Sequence, residues 1–116
     1  MTPGDIGLVR FPFSDAQGEN FIKRPVLILG VSPIGPAEDE RVLLAQITGS
    51  AQRLANLKRG DLLLSRWQAF GLLRPSAIRC RKLYSCAPHE LLQRLGAVDG
   101  PTLTTVRTEV CALAGC

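Results

Sequence analysis

Pro25-Val26-Leu27-Ile28-Leu29-Gly30-Val31 decides the fold. It is a continuous run of branched and aliphatic residues, as a strand buried on both faces requires, and Ser32 to Glu40, with Pro33 and Pro36, ends it. Segments of similar scale lie on either side. Asp5 to Phe11 (DIGLVRF), bounded by Pro3-Gly4 and Pro12, reads as a first strand. Arg41 to Ile47 (RVLLAQI) reads as a third, and Thr48, Gly49 and Ser50 place small hydroxyl residues at its exit. Pro12 to Lys23 holds Asp15, Gln17, Gly18, Glu19 and Asn20 and reads as a polar loop.

Further along, Ala51 to Gly60 is a basic connection, and Asp61 to Leu64 is a short strand running toward Trp67. Ser76 to Lys82 (SAIRCRK) is another strand, with Ala77 and Arg79 facing opposite to Ile78 and Cys80. Ala87-Pro88, with Glu90 in the first turn, opens a helix through Leu91, Leu92 and Leu95 to Gly96. A last helix starts at Asp99-Gly100-Pro101, carries Leu103, Val106, Val110 and Leu113 on one stripe, and stops at Gly115. Short sequential strands followed by helices predict a mainly β, α+β chain: a small antiparallel β-barrel with appended C-terminal helices.

The chain has 116 residues, 46% hydrophobic and 21% charged, enough for one domain with one core. Its longest apolar run, Val26 to Val31, is far short of the roughly twenty residues of a membrane helix. Met1-Thr2-Pro3-Gly4-Asp5 lacks the basic and apolar regions of a secretory signal, so a cytoplasmic location is expected. Cys80, Cys86, Cys111 and Cys116 include no Cys-x-x-Cys pair and, with a single histidine, suggest neither a metal site nor a disulfide scaffold. Buried thiols and a frayed Cys116 are expected instead. Of fourteen Lys and Arg, eight fall between Arg53 and Lys82 beside one acid, Asp61, which suggests a phosphate-rich or acidic partner and equally fits solvated loop charges.

Several short motifs, taken in order, carry a resemblance. Gly4-Asp5-Ile6 with Val9-Arg10-Phe11-Pro12-Phe13, Lys23-Arg24-Pro25-Val26-Leu27-Ile28-Leu29, Ala45-Gln46-Ile47-Thr48, Leu73-Arg74-Pro75-Ser76 and Arg79-x-x-Lys82-Leu83 together resemble the PemK/MazF family of toxins from type II toxin-antitoxin modules. The resemblance spans nearly the whole chain. It implies an SH3-like barrel, a homodimer, and a cofactor-free, metal-independent endoribonuclease. Such an enzyme cuts single-stranded RNA at short sequences until a cognate antitoxin covers the site.

Metal-free cleavage uses the RNA's own 2'-hydroxyl as nucleophile, so the protein must align the attack, manage two proton transfers and stabilise the phosphorane. The resemblance places the family's arginine on Arg24 and its strand-end threonine on Thr48. A guanidinium is a poor proton carrier near neutrality, so Arg24 is assigned charge stabilisation. Thr48 is assigned hydroxyl donation to a nonbridging oxygen, aided by Ser50 and the amides around Gly49. Taken alone, Arg24 also fits a surface ion pair and Thr48 an ordinary turn residue.

RNA contacts are expected from Phe13, Ser14, Lys23, Gln46, Ser50, Arg53 and Arg79, with Phe13 stacking on a base or, alternatively, in the core. One branch of the family pairs a late-strand arginine with an aspartate two residues on. Here Arg79 matches and Arg81 replaces the carboxylate, with Asp15 and Glu19 as the possible substitutes. His89 reads as a surface or packing residue. Trp67 and Phe70 are assigned to a dimer or antitoxin surface. The competing reading is a non-catalytic binding toxin on the same barrel: a topoisomerase poison of the CcdB kind, or a member that holds RNA or antitoxin without cutting.

Overall fold

The computed structural model describes residues 1–15, 18–32, 35–36 and 39–116, with side chains described outside 11–22. Six antiparallel strands, β1 (Asp5–Asp15), β2 (Gly18–Ser32), β3 (Arg41–Thr48), β4 (Asp61–Leu64), β5 (Ser76–Cys86) and β6 (Leu91–Ala97), form one sheet in the order β4-β5-β3-β2-β1-β6. A five-residue helix, α1 (Ala51–Ala55), follows β3, and α2 (Gly100–Ala114) ends the fold.

The run that decides the fold behaves as its composition requires. Leu27 and Leu29 join one apolar cluster with Ile6, Ala45, Ile47, Ile78 and Val106, while Val26 and Ile28 join another with Val9, Val42, Leu44 and Cys86. Alternation along β2 thus feeds both faces. Register shifts between Ile28 and Gly30, Ala45 and Gln46, Ile6 and Gly7, and Leu8 and Val9 bend the strands so that the sheet curls.

The expected antiparallel α+β architecture is there, but the curled sheet does not close on itself: β4 and β6 are its two ends and do not pair. The segment after β4 crosses the gap. Gly71 lies so close to β6 that a Cβ there would overlap the Leu95 carbonyl, and one on Gly96 would overlap the Phe70 carbonyl. Two glycines facing each other let backbone rest on backbone where side chains would hold the layers apart.

Four other expectations change. Residues 12–23 belong largely to the extended arms of β1 and β2, whose pairing runs out to Asp15 opposite Gly18 rather than ending at Phe11. The expected helix from Pro88 to Gly96 is a single 3-10 turn, Pro88–Glu90, followed by strand β6, because β1 offers an edge with which Leu91, Gln93 and Arg94 pair. Phe70 is 5% exposed in the core, so it does not offer the surface aromatic expected, while Trp67 packs against that cluster and stays partly exposed. Cys111 and Cys116 are disulfide-bonded across the end of α2, so Cys116 is not a frayed thiol; Cys80 and Cys86 are buried and free.

The last helix forms as read. Asp99 accepts from the Thr102 amide at 2.9 Å, and Gly115 caps the other end at φ 85°. Val106 is fully buried, Leu103 and Val110 pack beside it, and Leu113 stays exposed. Arg107 donates twice to the Leu29 carbonyl, at 3.2 and 2.7 Å, which ties the helix to β2. At the other terminus the Asp5 carboxylate, desolvated by burial, is held net below its usual range by the Thr2 amide and the Arg94 guanidinium.

Candidate functional site

Strand β2 enters the sheet at the end where β3 leaves it. The register sets Ile28 opposite Leu44, Leu27 opposite Ala45 and Val26 opposite Gln46; Arg24 and Thr48 each lie two residues beyond that last pair, Arg24 opposite Val9 of β1 and Thr48 opposite Ala77 of β5. Arg24, next to a proline, and Thr48, before a Gly-Ser turn, therefore lie at the same end of the paired strands. Thr48 is buried, and its Oγ1 accepts from the Ser50 amide at 3.3 Å, which leaves its own O–H to donate. Ser50 caps α1: its Oγ accepts from the Arg53 amide at 3.4 Å.

Beside this exit runs a groove of about 670 Å³, lined by Lys23, Arg24, Pro25, Leu8, Ile47, Gly49 and Ser50 on the strand side. Its other wall is Gly71 to Arg74 with Ser76, and Gln93 and Leu95 of β6 close the end. Among the described residues, the charged ones lining it are Lys23, Arg24 and Arg74, all cations. In a concave, partly apolar wall their fields add, so the groove suits an anion with an apolar body. A second cavity, about 190 Å³ between β4 and the start of α2, has Arg66 as its charged residue, and that guanidinium is paired with Asp99 at 3.1 Å.

The candidate residues divide into three groups. Lys23, Arg24 and Ser50 line the groove, whereas the buried Thr48 does not line it and stands in sequence between the lining residues Ile47 and Gly49. Gln46 and Arg79 are cross-strand partners, Nη1 to Oε1 at 3.4 Å, one step inward along the sheet. Arg53 lies on α1 with its Nε 3.9 Å from Asp61 Oδ2, outside the groove. The side chains of Phe13 and Ser14, and those of Asp15, Glu19 and Phe21, fall outside the described residues.

The basic stretch from Arg53 to Lys82 is dispersed rather than gathered. Arg66 faces Asp99 and lies 5.6 Å over the Phe70 ring, Arg81 packs its stem against Gly60, and of the eight cations only Arg74 lines the groove. Arg74 was not singled out by the sequence, whose only hint was its place within Leu73-Arg74-Pro75-Ser76. His89 is exposed in the turn before β6. Among the described residues, no three His, Cys, Asp or Glu side chains converge.

The geometry can be set beside known proteins. A family model described as PemK-like, MazF-like toxin of type II toxin-antitoxin system matches residues 2–114. No protein of curated function is similar in sequence. Among solved structures, the MazE-MazF complex of Deinococcus radiodurans matches with TM-score 0.70 and 15% identity, over 99% of this chain and 95% of that one. MazF alone from the same organism matches with TM-score 0.70 and 16% identity, over 100% and 97%. An endoribonuclease in complex with its cognate antitoxin, from a mycobacterial species, gives 0.68 and 16%, over 99% and 95%. At such identities the structures speak for the fold, and the family model speaks for descent over almost the whole length. The chain belongs to the PemK-like, MazF-like toxins of type II toxin-antitoxin systems.

Proposed function

We propose that this toxin is a metal-independent, sequence-specific endoribonuclease acting on single-stranded RNA in the cytoplasm, as a homodimer silenced by a cognate antitoxin. One observation carries the reading: Arg24 lines, and Thr48 adjoins in sequence, a groove whose charged lining residues, among those described, are all cations. Cations with no carboxylate among the described lining residues favour a polyanion, and apolar Leu8, Pro25, Ile47 and Leu95 favour one with bases. The endoribonuclease named among the similar structures, bound there to its antitoxin, agrees with this reading.

In the proposed reaction the substrate's 2'-oxygen attacks the adjacent phosphorus and the 5'-oxygen leaves. Negative charge grows on the nonbridging oxygens as the phosphorane forms. Arg24 meets that charge with paired N–H donors and Thr48 with its hydroxyl, so the stabilisation is greater in the transition state than in bound RNA. Lys23 holds a neighbouring phosphate as a point charge. Gln46 and Arg79 carry the RNA contact inward along the sheet.

Incubation of long RNA with the protein in excess chelator, followed by mapping of the ends, tests this. Fragments ending in a 2',3'-cyclic phosphate and a 5'-hydroxyl are expected. Cleavage seen only when a divalent ion is restored would refute the mechanism. A second reading, a toxin that binds without cutting, is favoured by Arg81 standing exposed where the family's late-strand carboxylate would be. Tight RNA or antitoxin binding with intact RNA after long incubation would establish it.

A further inference from the structure

Leu73 is 95% exposed, far more than any other large apolar side chain described, yet its neighbours are fixed. Leu72 is 7% exposed in the core, and Gly71 is pressed against β6. On the other side Pro75 restricts the backbone of Arg74, and the buried Ser76 donates from its hydroxyl to the Arg74 carbonyl at 2.8 Å. Leu73 and Arg74 thus form the crest of an arch held at both feet. A leucine kept in water on an ordered arch gains nothing from folding, and it stands on the groove wall facing the exit of β2 and β3.

The direction of Arg74 is also set. A Cβ on Gly49 would lie 2.5 Å from Arg74 Cδ and 2.8 Å from its Cγ, so the arginine stem runs directly over the glycine backbone between Thr48 and Ser50. Any side chain at position 49 would lift that stem away. We propose that Leu73 and Arg74 form a nucleotide-holding lip, Arg74 taking a backbone phosphate of single-stranded RNA and Leu73 the face of an adjoining base, with Gly49 as the residue that positions Arg74. This rests on the groove's being the RNA site. Guanidinium suits phosphate through its planar fork, and base faces pack on apolar side chains without regard to sequence, so the lip supplies grip rather than readout.

The experiment uses the RNA sequence that the parent chain cleaves, in its uncleavable 2'-O-methyl form, with binding measured across a salt series. Each phosphate contact on a single strand contributes about −0.7 to the slope of log K against log salt. Arg74→Ala should make the slope shallower by about that amount, while Arg74→Lys should leave it near the parent's. Gly49→Ala should weaken binding in the parent but add nothing to Arg74→Ala, since a positioning residue acts through the one it positions. Leu73→Ser should weaken binding about fivefold at every salt concentration, with the slope unchanged, as loss of an uncharged contact does.

Arg74 and Leu73 are exposed, so unchanged thermal transitions are expected for their variants. A parent that cleaves and binds, with an Arg74→Ala slope equal to its own, overturns the lip alone. Additive losses from Gly49→Ala and Arg74→Ala overturn the positioning role. A parent that neither cleaves nor binds RNA overturns the nuclease reading and the lip with it.

Discussion

Gly71→Ala is a direct test of how the open sheet is held together. Gly71 sits at φ +90°, where an L side chain is strained by about 1–2 kcal/mol. Its new Cβ would also overlap the Leu95 carbonyl. That neighbour is backbone, itself part of a paired strand, so it cannot rotate aside as a side chain would. Relieving the overlap means moving the arch off β6, which resembles overpacking a core and costs about 1–3 kcal/mol.

Together the two effects give about 2–5 kcal/mol, a large part of the roughly 5–15 kcal/mol of a typical domain. For a domain of this size the melting temperature should fall by about 10–20 °C. Gly96→Ala isolates the second effect, since Gly96 has no positive φ but its Cβ would overlap the Phe70 carbonyl; about 1–3 kcal/mol is expected. Gly100→Ala is the control, with no heavy atom within 4 Å of the added carbon. Thermal unfolding by circular dichroism reads all three. If Gly71→Ala melts within a few degrees of Gly100→Ala, the arch does not rest on β6, and the groove wall built on it is misplaced.

Other outcomes follow from the site and the termini. Arg24→Lys keeps a charge but loses the planar fork, so turnover should fall about a hundredfold or more with little change in RNA affinity. Thr48→Val should cost about ten- to a hundredfold, one neutral hydrogen bond being weaker than a charged pair, and equal rates for both variants and parent would remove the assigned site. Asp5 is held below its ordinary range, so its contribution is present above the unfolded carboxyl's pKa and lost as pH falls through the lower folded value. The melting difference between parent and Asp5→Asn, about 1 kcal/mol near neutrality because Arg94 is half exposed, should vanish in acid. Burial pushes Cys80 up to about 11 and raises Cys86 as well, so neither should alkylate at pH 8 until the chain unfolds. Fast labelling of the native protein would contradict their placement.

Local patterns determined much of this protein. Val26 to Leu29 is apolar at every position and short, between Pro25 and Gly30, which suits a strand covered on both faces. Asp99 and Gly115 bracket the last helix with chemistry confined to its own ends, so it was legible without knowledge of its neighbours. Arg24 and Thr48 stand out through their place in a familiar order of motifs, and the adjacency of β2 with β3 puts both at the same end of the sheet.

What escaped depends on contacts between distant segments. Leu91, Leu92 and Leu95 fit a helical stripe as well as a strand, and the free edge of β1 decided for the strand, because paired backbone groups outweigh a few tenths of a kcal/mol of local preference. How the two ends of the open sheet are bridged lies in the approach of Gly71 to Gly96, twenty-five residues apart in sequence and invisible to any periodicity. Phe70 and Trp67 look like surface aromatics amid arginines until the arch folds them inward. Arg74 stood among eight cations of equal standing in the sequence. Only the fold, by laying its stem over the bare backbone of Gly49, separated it from the seven that lie elsewhere, since charge is carried by residues but its direction is set by what they pack against.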